Sequence, residues 1–148
     1  MKMDYTLYLI TDRSLMSTKT LQEAVEQATL GGCTMVQLRE KNIESLDFYT
    51  LARDIKLVTD SYHIPIIIND RIDIALSVNA AGVHVGQNDI PVSVARKIIG
   101  KHMILGVSAS SVQEALQAQN DGADYLGVGA MLPTRTKTDA KIVSMDEL

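Results

Sequence analysis

Ile64-Pro65-Ile66-Ile67-Ile68-Asn69-Asp70 is a continuous apolar run that stops at an amide and a carboxylate. A strand with one wet face alternates apolar and polar residues. A run without alternation therefore predicts a strand covered on both faces, as in a parallel barrel or a doubly wound sheet. The polar pair at its downstream end matters because parallel α/β folds gather their functional groups where strands end. The same punctuation recurs along the chain. Gln37-Leu38-Arg39-Glu40-Lys41, Asp89, Ser108 and Thr134-Arg135-Thr136-Lys137 also fall at the downstream ends of predicted strands.

Working outward from residue 64, β-rich runs alternate with segments of helical period, and Gly, Pro, Asn or Asp lie between them. Strands are predicted at Leu7–Thr11, Met35–Arg39, Ile64–Ile68, Gly82–Gly86, Met103–Val107 and Tyr125–Gly129. The first helix, from about Thr20 to Leu30, places Leu21, Val25 and Ala28 on one face and ends at Gly31-Gly32. The second runs from about Ser45 to Tyr62, with Ser45 as N-cap and Leu46, Tyr49, Ala52, Ile55 and Val58 as its apolar stripe. Further helices are expected at Ile72–Val78, at about Val92–Ile99 after Pro91, and at about Ser111–Asn120 with Val112, Ala115 and Leu116 inward. A sixth is expected to begin near Ser144.

An open doubly wound sheet concentrates ligand groups at one switch point, whereas here five consecutive strand ends carry them, as a ring would. The expectation is a (β/α)8 TIM barrel of which about the first six βα units are present, since such barrels rarely run below about 200 residues. Residues 1–148 then form a single, partial barrel domain. Open edges at strands one and six would invite self-association.

The chain is 46% hydrophobic over 148 residues, enough to bury a core as one domain. Its formal charge of −4, and aromatic content of 4% with no Trp, argue against nucleic acid as a partner. No segment approaches the roughly 18 apolar residues of a membrane span, and no signal peptide is recognisable, so the expected location is cytoplasmic. Cys33 is the only cysteine. It reads as a small buried apolar residue, and no disulfide or cysteine-type zinc site can form within the chain.

On strand two, Gln37, Arg39 and Lys41 share a face if the extended geometry persists, while Leu38 and Glu40 point oppositely. A row of this kind facing a barrel interior is costly unless an anion or several acceptors meet it. It can instead pair internally with acids or lie on a solvated edge. Asp70 and Asp89 follow adjacent strands about 4.8 Å apart, so both carboxylates can reach one cation. Oxygen-only ligands favour Mg²⁺, which takes one or two carboxylates plus substrate phosphates. Asp70 could equally cap the third helix, and Asp89 could serve the turn before Pro91. Ser108 could bond a phosphate oxygen or cap the fifth helix. Thr134 to Lys137 suit a phosphate or form a solvated basic loop. Gly127-Val128-Gly129 is not a dinucleotide fingerprint, because Leu132 stands where the third glycine belongs. His84, within strand four, reads as a hydrogen-bonded interior histidine rather than a catalyst.

These motifs together resemble the thiamine-phosphate synthase family. Leu7-Tyr8-Leu9-Ile10-Thr11-Asp12, Val36 to Lys41, Ile68-Asn69-Asp70-Arg71, Gly82 to Asp89, Gly106-Val107-Ser108 and Pro133 to Asp139 match its motifs in order over almost the whole chain. The resemblance implies a (β/α)8 barrel that joins a hydroxymethylpyrimidine diphosphate to a thiazole phosphate, giving thiamine phosphate and pyrophosphate. It implies that Gln37, Arg39, Lys41, Asn69, Ser108 and Lys137 hold the pyrimidine diphosphate. It also implies that Asp70 and Asp89 bind Mg²⁺ and that Thr134, Arg135 and Thr136 contact the thiazole phosphate. In such a family the pyrimidine C–O bond breaks first and the thiazole nitrogen attacks the resulting cation. The residues agree, since they suit a departing pyrophosphate and include no convincing nucleophile or separate acid or base. The family's seventh and eighth strands are not matched here, which would remove part of the thiazole phosphate site. Two other readings are a thiazole tautomerase-like isomerase, which would not need the cations and paired acids, and an inactive partial barrel.

Overall fold

The computed structural model describes residues 3–132, 142–146 and 148. Among them, strands and helices alternate without exception: β1 (Tyr8–Ile10), α1 (Leu21–Leu30), β2 (Met35–Leu38), α2 (Ser45–Ser61), β3 (Ile66–Asn69), α3 (Ile72–Ser77), β4 (Gly82–Val85), α4 (Val92–Ile99), β5 (Ile104–Ala109), α5 (Val112–Asn120) and β6 (Tyr125–Val128). The chain divides into two compact units, Met1–Val83 and His84–Leu148.

In the first unit β1, β2 and β3 lie side by side and parallel, with Ile10 beside Gln37 and Gln37 beside Ile67. Paired residues of parallel strands point the same way, so Tyr8 and Ile10, Met35, Gln37 and Arg39, and Ile67 and Asn69 share one face. On the opposite face Val36, Leu38, Ile66 and Ile68 are almost wholly buried, and α2 and α3 pack against these strands. Both faces of β2 and β3 are covered, which accounts for the missing alternation in Ile66–Ile68. In the second unit β5 and β6 are parallel, with Gly106 beside Tyr125 and Ser108 beside Gly127. Leu105, Val107 and Ala109 form the buried face, and α4 and α5 pack on β5.

Helix α1 begins as the sequence suggests. Thr20 accepts from the Glu23 N–H, the Glu23 carboxylate accepts in return from the Thr20 N–H, and Leu21 and Val25 are buried. The expected stripe of α2 is wrong in part. The buried residues are Phe48, Ala52, Ile55 and Thr59, while Leu46 is 74% exposed. The helix carries two apolar stripes, and the one containing the larger Phe48 buries more surface. Ser45 is not the cap either. It is the first residue of α2, after Glu44, and its hydroxyl accepts from Arg71. On α5 only Ala118 is buried, and Val112 and Leu116 are exposed. Small side chains on the inner face let that helix lie close to β5. No helix begins at Ser144 among the described residues, where Met145 and Asp146 form a turn.

Candidate active site

In the first unit the downstream strand ends hold five of the expected site residues. Gln37 is only 2% exposed, and its amide Nε2 donates to the Tyr8 hydroxyl at 2.9 Å. Thr11 ties the ends of β1 and β2 together: its N–H donates to the Gln37 carbonyl at 3.0 Å, and its hydroxyl accepts from the Arg39 N–H at 3.0 Å. This stitch sets the point at which Arg39 leaves the sheet. Among the described residues the Arg39 guanidinium makes no hydrogen bond or ion pair, although it adds a small attraction to Asp12. The Asp12 carboxyl is held below its usual value mainly by the Ser14 hydroxyl and N–H, which donate to it at 2.6 and 2.9 Å.

Lys41 reaches across to Asp70, with Nζ 2.7 Å from Oδ2. Glu40, on the other side of the strand, pairs with Arg13 at 2.7 Å. Lys41 thus takes the internal-pairing course that the sequence left open, whereas Arg39 does not. Asp70 does not cap α3, whose N-cap is Arg71 without a side-chain cap bond. Instead Asp70 sits at φ 62°, a left-handed conformation that costs a non-glycine residue energy, and the Arg71 N–H donates across it to the Asn69 carbonyl at 2.7 Å. Asn69 is 6% exposed, and its amide Nδ2 is buried with no hydrogen-bond partner. Buried donors are nearly always paired, so an orphan beside a strained carboxylate marks a place prepared for an acceptor.

In the second unit Asp89 folds back on the end of β4, and its Oδ2 accepts from the Gly86 N–H at 2.6 Å. The carboxylate thus does serve the turn before Pro91. Ser108 lies within β5 rather than after it, and it does not cap α5. That cap is Ser111, whose hydroxyl accepts from the Glu114 N–H at 3.2 Å. The Ser108 hydroxyl lies 2.9 Å from His84 Nε2, and His84 Nδ1 lies 2.9 Å from the Tyr125 hydroxyl. His84 is 7% exposed, as an interior histidine should be. Gln87 donates to the Ser108 carbonyl at 2.7 Å. Thr134, Arg135, Thr136 and Lys137 lie outside the described residues.

Sequence reasoning did not assign roles to Tyr8, Thr11, Gln87 or Tyr125. Tyr8 could have been found, since it lies on β1 at a position paired with Met35, two residues before Gln37 on the same face. Among the described residues no three His, Cys, Asp or Glu side chains gather as a metal cage. No helix of the described residues is long and apolar enough to cross a membrane.

Taken together, the two units define an α/β protein whose amide, hydroxyl and charged side chains sit at downstream strand ends. The thiamine monophosphate synthase family matches residues 7–148. The thiamine-phosphate synthase of Ruminiclostridium cellulolyticum is 66% identical over 147 residues, which make up 99% of this chain and 70% of that protein. That of Clostridium beijerinckii is 64% identical, over 99% of this chain and 70% of its own length. A solved thiamine phosphate pyrophosphorylase from Pyrococcus furiosus superimposes with a TM-score of 0.85 at 39% identity, covering 95% of this chain and 66% of that one. The chain belongs to the thiamine monophosphate synthase family and so to the transferases of thiamine biosynthesis. It spans about 70% of the length of these curated relatives.

Proposed function

We propose that this chain binds a hydroxymethylpyrimidine diphosphate at its strand ends and transfers the pyrimidinylmethyl group to the ring nitrogen of a thiazole phosphate. The products are thiamine phosphate and pyrophosphate. The single observation that carries the reading is the buried, unpartnered Asn69 amide next to Asp70 in its left-handed turn. An anionic substrate oxygen is the acceptor that this donor lacks. Gln37, Arg39, Lys41, Asn69 and Ser108 are the substrate's ligands in this reading, with Lys137 beyond the described residues. Thr134, Arg135 and Thr136 are assigned to the thiazole phosphate by resemblance alone.

The donor set fits Mg²⁺. Asp70 and Asp89 offer hard carboxylate oxygens, and such an ion completes its shell with water and phosphate rather than an all-protein cage. When bound, the ion adds positive charge at the leaving pyrophosphate. The chain's own residues supply the rest. The Arg39 guanidinium and Asn69 amide donate to the departing oxygens as negative charge builds on them, and Gln37, held by Tyr8, orients the pyrimidine. No side chain is required as acid or base, because the leaving group is already a stabilised anion. The five βα units and β6 belong, in this proposal, to a (β/α)8 barrel.

The test is calorimetric titration of the chain with the pyrimidine diphosphate, with and without Mg²⁺. Binding is expected only with the metal, and Asp70→Asn and Asp89→Asn should each abolish that metal-dependent binding. Metal-dependent binding retained in both variants would defeat the assignment.

A further inference from the structure

Ser108, His84 and Tyr125 form an ordered chain within the second unit, and the hydrogen-bond inventory gives it a direction. A hydroxyl has one proton, and a phosphate oxygen can only accept. If Ser108 is to donate to an anion, its oxygen must accept from His84, which requires the proton on Nε2. Nδ1 then carries the lone pair and must accept from the Tyr125 hydroxyl. Both distances, 2.9 Å and 2.9 Å, allow this order.

The surroundings are built to hold it. Tyr125 stands beside Gly106, and a Cβ on Gly106 would overlap the Tyr125 ring. Ser108 stands beside Gly127, and a Cβ there would come 3.0 Å from His84 Cε1. The two glycines thus clear the places that the two rings occupy. The role that would otherwise explain Ser108, capping α5, belongs to Ser111. Gln87 meanwhile holds the Ser108 backbone from the loop after β4.

We propose that Tyr125 and His84 act as a positioning relay, in which Tyr125 O–H donates to Nδ1 and Nε2–H donates to Ser108, so that the Ser108 proton points at a pyrophosphate oxygen. His84 is a positioning residue for this anion and performs no proton transfer. The proposal rests on the reading of Ser108 as a pyrophosphate ligand.

Two measurements on the 148-residue chain decide it. The first is ¹⁵N NMR of the histidine rings without ligand, where His84 is expected as the Nε2–H tautomer. The Nδ1–H tautomer would overturn the relay, because Ser108 would then spend its proton on Nε2. The second is titration with pyrophosphate in Mg²⁺, with circular dichroism confirming that each variant is folded. Ser108→Ala should weaken binding about tenfold, as loss of a hydrogen bond to a charged group does. His84→Leu should weaken it by a similar factor, and His84→Gln, which keeps a donor, should restore most of it. In the Ser108→Ala background His84→Leu should add nothing. An equal further loss there would overturn the relay while leaving the pyrophosphate reading intact. If the unmodified chain does not bind pyrophosphate, both the relay's purpose and the reading of Ser108 fall.

Discussion

Replacing Asn69 by leucine should make the protein more stable and the site useless. The side chain sits at the end of β3, 6% exposed, with its Nδ2 buried and unpartnered. Leaving a buried donor unsatisfied costs about 1–3 kcal/mol, whereas an apolar group of similar shape at that position carries no such penalty. The bond from Arg71 to residue 69 uses the backbone carbonyl and survives the change. A net gain of about 1 kcal/mol is expected, which at this chain length raises Tm by about 2–4 °C. Urea and thermal unfolding of Asn69→Leu beside the unmodified chain measure it, and titration with the pyrimidine diphosphate in Mg²⁺ should show binding lost. A fall in Tm of several degrees would refute the reasoning, because it would mean that the amide contributes to the fold rather than waiting for a ligand. This is the expected trade between stability and a site held ready for its substrate.

Three other outcomes follow from the same geometry. Arg96 donates to the carbonyls of Gly100, Met103 and Gly122 and to the Asp124 carboxylate, so Arg96→Ala should cost about 3 kcal/mol in urea unfolding, because it leaves partly buried acceptors unpaired. Gly106→Val places a side chain in the Tyr125 ring and should destabilise by about 3 kcal/mol, with a partial recovery when combined with Tyr125→Ala. The Asp73 carboxyl is held below its usual 3.8 chiefly by the Arg71 guanidinium, so their bond contributes fully above that unfolded value and is lost as pH falls through the lower folded value. Asp73→Asn should therefore be only slightly less stable than the unmodified chain at neutral pH, because the pair is mostly exposed, and the difference should vanish once pH has fallen below that lower folded value.

The strand order within the first unit was legible because Ile66–Ile68 show no alternation and because each strand ends in a different polar group. The first helix was legible in its extent, from about Thr20 to the Gly31-Gly32 stop, although the Thr20–Glu23 capping box that starts it emerged only from the structure. Helix faces were harder. On α2 the expected stripe ran Leu46, Tyr49, Ala52, Ile55 and Val58. Ala52 and Ile55 are buried, but Phe48 rather than Leu46 completes the covered side, and periodicity cannot say which flank of the shared residues a sheet will cover. α5 departed from the expectation at Val112 and Leu116, which are exposed, while Ala118 is its buried residue. The same limit applies to the site. Asp70 and Ser108 each had a capping role as an alternative, and only the positions of Arg71 and Ser111 as the actual caps remove it. The link from Tyr125 through His84 to Ser108 joins three strands across 41 residues, a pairing that no local pattern records.

The central claim is the reaction, and the most direct measurement is thiamine phosphate formation by the purified chain from pyrimidine diphosphate and thiazole phosphate. Product separated by chromatography should accumulate with one pyrophosphate released for each thiamine phosphate, only with Mg²⁺ present and not in Asp70→Asn. Absence of product from protein shown to be folded and supplied with both substrates and the metal would contradict the account.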